Sequence, residues 1–314
     1  MQETQADLVT VFQNCQLDAF AEGRWSGLVH GFKTHNPHLV KLAEMDWLAD
    51  PEAAEEGILK LDEDAVEKVK SDLGMELVVS LAKSRVGTTA VAWDPDYLEL
   101  IDCDTTYSYP GNFHHGYCAP RFWAGPRLRE RLVRPLPVPM VEIVTHITPY
   151  YAATAAGEVA ILNARARRYG GLGSIDGDIN HCPVWVEGEP QPDWELVQHF
   201  NRASRCLPRR NPDDPWVGNQ IVGWTLRDGG MTDVAAYLAT KPKREDNGEI
   251  DWTMLAPTGK HGLLRVDQSH STGAWVSALT HYARIDPGPN ADHYGFTYVR
   301  DLNKIDEREL REYK

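Results

Sequence analysis

The chain of 314 residues is short of several things, and each shortage narrows its reading. It has no long hydrophobic run. Stretches such as Val159–Leu162 fall far below the roughly 20 apolar residues a membrane-spanning helix needs. Its opening, MQETQADLVTVFQ, has neither a basic segment nor an apolar one, which speaks against a secretory leader. Cysteine is sparse: Cys15, Cys103, Cys118, Cys182 and Cys206, an odd number with no pair at C-x-x-C spacing. A disulfide framework and a zinc ribbon are both disfavoured, and free thiols in a cytoplasmic, reducing setting are expected. The sequence carries no G-x-x-x-x-G-K-[ST], G-x-S-x-G or H-E-x-x-H motif.

Positive charge is also scarce. Lys and Arg number 32 against 46 Asp and Glu, for a net charge of −14. Residues 1–64 hold thirteen acids and four bases, whereas residues 121–210 hold twelve Arg, nine acids and no Lys. Such an acidic balance repels anionic membranes and gives nucleic acid no broad basic face, although nucleic acid is not excluded. Arg offers a planar fork that grips phosphate or carboxylate through two bonds, and Lys does not. The Arg-only middle therefore points to anion binding or to contact between copies of the chain. Arg127, Arg131, Arg205 and Arg209 are the candidates for holding a phosphorylated ligand.

The hydrophobic fraction of 42% is that of a folded protein. Leu8, Phe12, Cys15 and Phe20 stand near helical spacing, so residues 5–22 read as a helix. A second helix is expected over Glu63–Leu73, ended by Gly74, and others over Ala152–Tyr169 and Trp194–Cys206. Glu76–Leu81, Thr89–Trp93, Tyr97–Ile101 and Met140–Ile147 read as strands, and residues 102–126 as irregular. The last third reads as a meander of strands over Val217–Leu226, Asp233–Ala239, Ile250–Leu255, Gly262–Asp267, Ala274–Ala283 and Tyr294–Val299. The expected fold class is thus α+β, with helices mainly in the N-terminal and middle parts and an antiparallel sheet in the C-terminal third. One large domain over 1–314 is expected, with a subdivision conceivable at the stiff PLPVP segment, 135–139.

Three constellations suggest chemistry. Asp102 and Asp104 close a strand and are followed by His114, His115 and Cys118; paired carboxylates there suit a divalent cation, Mg or Mn, with a histidine assisting. The bland alternative is that the acids cap the following turn. Asp176, Asp178, Asn180 and Glu187 fall at calcium-loop spacing, but His181 stands where that loop requires Gly. Asp267, another strand-end acid, stands beside Ser269 and His270. The leading expectation is a metal-assisted enzyme acting on a phosphorylated or nucleotide substrate: metal on Asp102 and Asp104, catalysis by His114 or His115, phosphate on the Arg groups. The alternative is a non-catalytic subunit of a larger assembly, such as a virion or defence complex, with its acidic first third meeting the Arg-rich middle. A third reading is a carbohydrate-active enzyme using carboxylates such as Glu142 and Asp178.

Overall fold

The computed structural model describes residues 5–16, 19–20, 23–82, 86–105, 113–241, 249–259, 264–288 and 291–310. Among them run the strands β1 (Asp7–Asn14), β2 (Leu39–Ala43), β3 (Glu76–Ser80), β4 (Thr89–Trp93), β5 (Leu98–Asp104) and β6 (Gly116–Ala124). They continue as β7 (Met140–His146), β8 (Leu172–Asp178), β9 (Met231–Asp233), β10 (Asp267–Thr272), β11 (Leu279–Ile285) and β12 (Gly295–Asp301). The helices are α1 (Trp25–Thr34), α2 (Pro51–Glu55), α3 (Glu63–Leu73), α4 (Pro126–Arg131), α5 (Ala152–Arg167), α6 (His199–Arg205), α7 (Ile221–Asp228), α8 (Val234–Thr240) and α9 (Gly273–Val276).

The strands form two mixed sheets of six. One has the order β11-β12-β1-β2-β4-β3 and the other β5-β6-β7-β8-β10-β9. Each contains one parallel pair, β1 with β2 and β7 with β8; the other ladders are antiparallel. This corrects the expected fold class. The chain opens on a strand, sheet residues are spread over its whole length, and the two sheets stack with helices on their outer faces.

The physical reason lies in the central strands, which are buried on both faces and so lose the simple apolar–polar alternation. In β1, Leu8 and Phe12 enter the core between the sheets, while Val11 packs outward under α1 and α3 with Val40, Leu42, Trp25 and Phe32. Read one after another, these positions mimic a helix. The inner core continues through Leu39, Val91, Phe122, Met140, Val144, Leu172 and Phe296. On the far side, α5 and α7 cover the second sheet through Val159, Leu162, Val222 and Leu226 against Ile143 and Ile175.

Several assignments in the last third are corrected too. Val217–Leu226 ends in α7, Asp233–Ala239 is mostly α8 capped by the Asp233 side chain on the Ala236 N–H, and Ile250–Leu255 contains a short 3-10 turn. Gly262–Asp267 begins outside the described residues and meets β10 only at its end. Ala274–Ala283 divides into α9 and β11. Residues 102–126 are not irregular throughout, since β6 runs through them. The five cysteines form no disulfide. No described helix is long and apolar enough to cross a membrane.

Candidate metal centre

Parallel strands carry their carboxyl ends to the same side, and here both parallel pairs do so at one rim of the sandwich. β1 ends there on Asn14, β2 is followed by Glu44, β7 ends on His146 and β8 on Asp178. The register pairs His146 with Asp178 directly. Antiparallel β10 brings its first residue, Asp267, opposite Asp178, and His293 lies two residues before β12. Six segments thus place polar side chains at one spot, a convergence that ligand sites of mixed sheets commonly use.

Backbone features fix the spot. Gly177 has no side chain, and a Cβ there would collide with the carbonyl oxygen of Thr145 on β7. Asn180 takes a left-handed conformation, φ 59°, which Asn tolerates better than most residues. Its N–H donates to Asp178 Oδ1 at 2.9 Å, and its side-chain amide donates to the Ile147 carbonyl at 3.0 Å.

The geometry joins the two sheets. Asn14 Nδ2 donates to Glu44 Oε1 at 2.8 Å and to Asp178 Oδ2 at 3.2 Å. His146 Nδ1 faces the Val86 carbonyl at 2.6 Å, so Nδ1 carries the proton and Nε2 is left toward Asp178 Oδ2, 3.7 Å away. His293 Nδ1 meets Asp267 Oδ2 at 2.8 Å, and its Nε2 lies 3.8 Å from Asp178 Oδ2. Burial, with Asp178 nearby, pushes the Asp267 carboxyl up to about 6. Burial alone would lower the His293 pKa; the adjacent Asp267 carboxylate overrides it and holds the imidazole well above its ordinary value.

Two sets of three side chains can each present ligand atoms within 4.8 Å of one another: Glu44, His146 and Asp178, and Asp178, Asp267 and His293. Asp178 belongs to both. Asp267 Oδ1 is buried and has no hydrogen-bond partner among the described residues, an open acceptor whose burial is costly unless a donor or cation meets it. Carboxylate oxygens with an imidazole nitrogen suit a hard divalent cation such as Mg or Mn. The donor set fits such an ion.

The residues singled out from the sequence lie elsewhere or beside this cluster. Asp102 pairs with Arg121, whose guanidinium holds that carboxyl below its ordinary range, and Asp104 pairs with Arg165 at 2.9 Å. Neither joins the two ligand sets. His115 is buried and stacks on His146 at 4.2 Å; His114 packs edge-on against His115. Arg205 is buried behind the site, donating through Nε to the Asn180 carbonyl at 2.7 Å and through a terminal nitrogen to Asn180 Oδ1 at 3.1 Å. Arg127 pairs with Asp96, Arg131 lies over the Tyr97 ring, and Arg209 lies over the Trp216 ring. Of the calcium-loop residues, Asp176 and Asp178 stand on β8 rather than in a loop, and Asp176 is tied to Lys41 at 2.6 Å. Glu142 meets Lys41 at 2.9 Å and Arg300 at 2.7 Å in the same buried network.

Asn14, Glu44, His146 and His293 were missed. The only available signal was that each follows or ends a stretch able to form a strand, as Asp178 and Asp267 do. Volume does not mark the site: clefts of about 650 Å³ lie elsewhere, one beside Lys241 and His281, another beside Arg134 and Asn303.

No family of known proteins matches the sequence, and no curated protein matches it. Solved structures do resemble the fold. The endonuclease domain of TRAS1, a telomere-specific non-LTR retrotransposon, superposes with a TM-score of 0.54 at 12% identity, covering 95% of this chain and 100% of that one. Humanized TDP2 of D. rerio gives 0.56 at 10% identity, with 94% and 98% covered. An endonuclease/exonuclease/phosphatase family protein from Bacteroides thetaiotaomicron gives 0.51 at 9% identity, with 93% and 97% covered. The chain therefore has a sandwich fold like that of endonuclease/exonuclease/phosphatase proteins.

Proposed function

We propose that this protein is a divalent-metal-dependent phosphoesterase acting on a nucleotide or nucleic-acid phosphoester. The observation that carries the reading is the Asp267–His293 pair set beside Asp178, against the Glu44–His146–Asp178 group. The fold shared with an endonuclease domain and with an endonuclease/exonuclease/phosphatase protein supports it.

Glu44, Asp178 and His146 Nε2 would hold the cation, and Asp178 links them to the group of Asp267 and His293. A cation bound there supplies Lewis acidity to a phosphoryl oxygen and neutralises charge developing in the transition state. The protein's own groups supply the rest. Asn14 holds Glu44 and Asp178 at fixed separation across the two sheets. Asp267, on Nδ1, orients the His293 ring and holds it as an imidazolium. As the oxygen of a water molecule bonds to phosphorus and its proton passes to solvent, the phosphorus–oxygen ester bond breaks and His293 Nε2 gives its proton to the departing oxygen.

The test is hydrolysis of bis(4-nitrophenyl) phosphate and of a short oligonucleotide with Mg or Mn, by the parent and by His293→Ala. Proton transfer by a positioned side chain is worth roughly 10²–10⁴-fold, so the variant should lose that much of kcat on the oligonucleotide, whose departing oxygen needs the proton. A parent inactive on both substrates, or an undiminished variant, overturns the reading.

A further inference from the structure

A ladder of aromatic rings runs outward from the centre. His115 stacks on His146 with 4.2 Å between centroids and 20° between planes. His114 meets His115 edge-on at 4.5 Å, Tyr150 meets His114 edge-on at 5.0 Å, and Phe200 meets Tyr150 edge-on at 5.7 Å. The inner end is buried: His115 and His146 are each 4% exposed. The outer end is open, with Tyr150 45% and Phe200 53% exposed.

The ladder is held from below. Glu158 is buried and accepts the His114 N–H at 2.7 Å through one oxygen and the Thr148 N–H at 2.9 Å through the other. This clamps the segment before β6 to the segment after β7, and so sets His114 beside Tyr150. Phe200 comes from a third segment, in the first turn of α6.

Large rings exposed side by side next to a phosphoester centre form a stacking platform. Every nucleobase has a π face that such a platform accepts, but a duplex hides those faces in its own stack. Charge points the same way. With a net charge of −14 the chain has little long-range attraction for a polyanion, so affinity must come from the bases. Tyr150 and Phe200 stand several ring contacts away from His146. The base they take therefore belongs to a nucleotide flanking the reacting phosphate.

We infer that the protein binds single-stranded nucleic acid, with an unpaired base flanking the reacting phosphate seated in the corner that the Tyr150 and Phe200 rings make, stacked on one and in edge contact with the other. The inference rests on the phosphoesterase reading for the identity of the neighbouring phosphate, and its test does not require turnover.

The experiment is fluorescence anisotropy in EDTA with three probes: a labelled single strand of deoxyadenosines, the same strand with abasic residues, and the corresponding duplex. The single strand should bind roughly ten-fold tighter than either of the others, within the range that stacking of a base on an aromatic side chain supplies. Tyr150→Ala and Phe200→Ala should each weaken the single strand by roughly ten-fold, and Phe200→Trp should restore it. Both side chains are exposed, and an unchanged melting temperature checks that the variants fold. Salt dependence should be shallow, because few phosphate contacts are made. Equal affinity for all three probes, undiminished binding by the alanine variants, or no binding of the single strand overturns the inference. Should the parent hydrolyse no phosphoester with Mg or Mn while base-dependent binding holds, the phosphoesterase reading fails and the stacking platform stands.

Discussion

Asn14, at the end of β1, and Asp178, at the end of β8, are 164 residues apart in sequence and meet at 3.2 Å across the two sheets. Asn14 also holds Glu44 at 2.8 Å, so one amide ties a candidate ligand from the first sheet to one from the second. The centre exists only when the sheets are stacked in this register. Whatever holds the sheets together therefore also holds the site.

One such tie is the buried network of Lys41, Glu142, Asp176 and Arg300. Burial would raise the Glu142 carboxyl, but Arg300 and Lys41 override it and hold it at about 2. A folded pKa below the unfolded value means stability that is fully present above the unfolded pKa, about 4.3, and lost as pH falls toward 2. The shift corresponds to about 3 kcal/mol. Glu142→Gln should flatten the fall of melting temperature over that acidic window. At neutral pH it should cost about 3–5 kcal/mol, because two buried cations lose a partner. Thermal melts of parent and variant across pH measure both effects; parallel pH profiles would contradict the assignment.

Arg205 is expected to act through Asn180. Its fork fixes the carbonyl and the side-chain oxygen of a residue held at positive φ. Arg205→Lys keeps the charge and loses the paired geometry. Stability should fall by about 1.5–3 kcal/mol, the range for a hydrogen bond to a charged group. If Asn180 helps shape the phosphoryl site, kcat should fall while KM changes little. Steady-state kinetics beside thermal melts separate the two effects, and a change in KM alone would place Arg205 in substrate binding instead.

Local structure was readable where one face of an element is solvated. Glu63–Leu73 has its exposed acids, its Asp62 cap and its Gly74 stop, and the helix forms there. Glu76–Ser80, only partly buried, likewise forms a strand where one was expected. Reading failed where burial is two-sided, as in β1, or where β-branched residues such as Ile221, Val222 and Thr225 sit in a helix whose Val222 and Leu226 face is covered by tertiary packing. The site was legible only in fragments. Asp178 and Asp267 could be seen at strand ends, but their partners come from distant segments, and a single sequence gives no register between strands. Asp102 and Asp104 carry the same strand-end signal, yet Arg121 and Arg165 meet them in the fold.

Metal binding tests the account most directly. Isothermal titration of Mn into the metal-free protein should give saturable binding that is lost in Asp178→Asn, the one residue shared by both ligand sets, and severely weakened in Glu44→Gln. Asp102→Asn and Asp104→Asn should bind as the parent does. Melting temperature should follow the same pattern, because an ion bound only to the native state stabilises it by about 2.7 kcal/mol at a hundred times Kd. Mn binding that survives Asp178→Asn and disappears in the Asp102 or Asp104 variant would contradict the account.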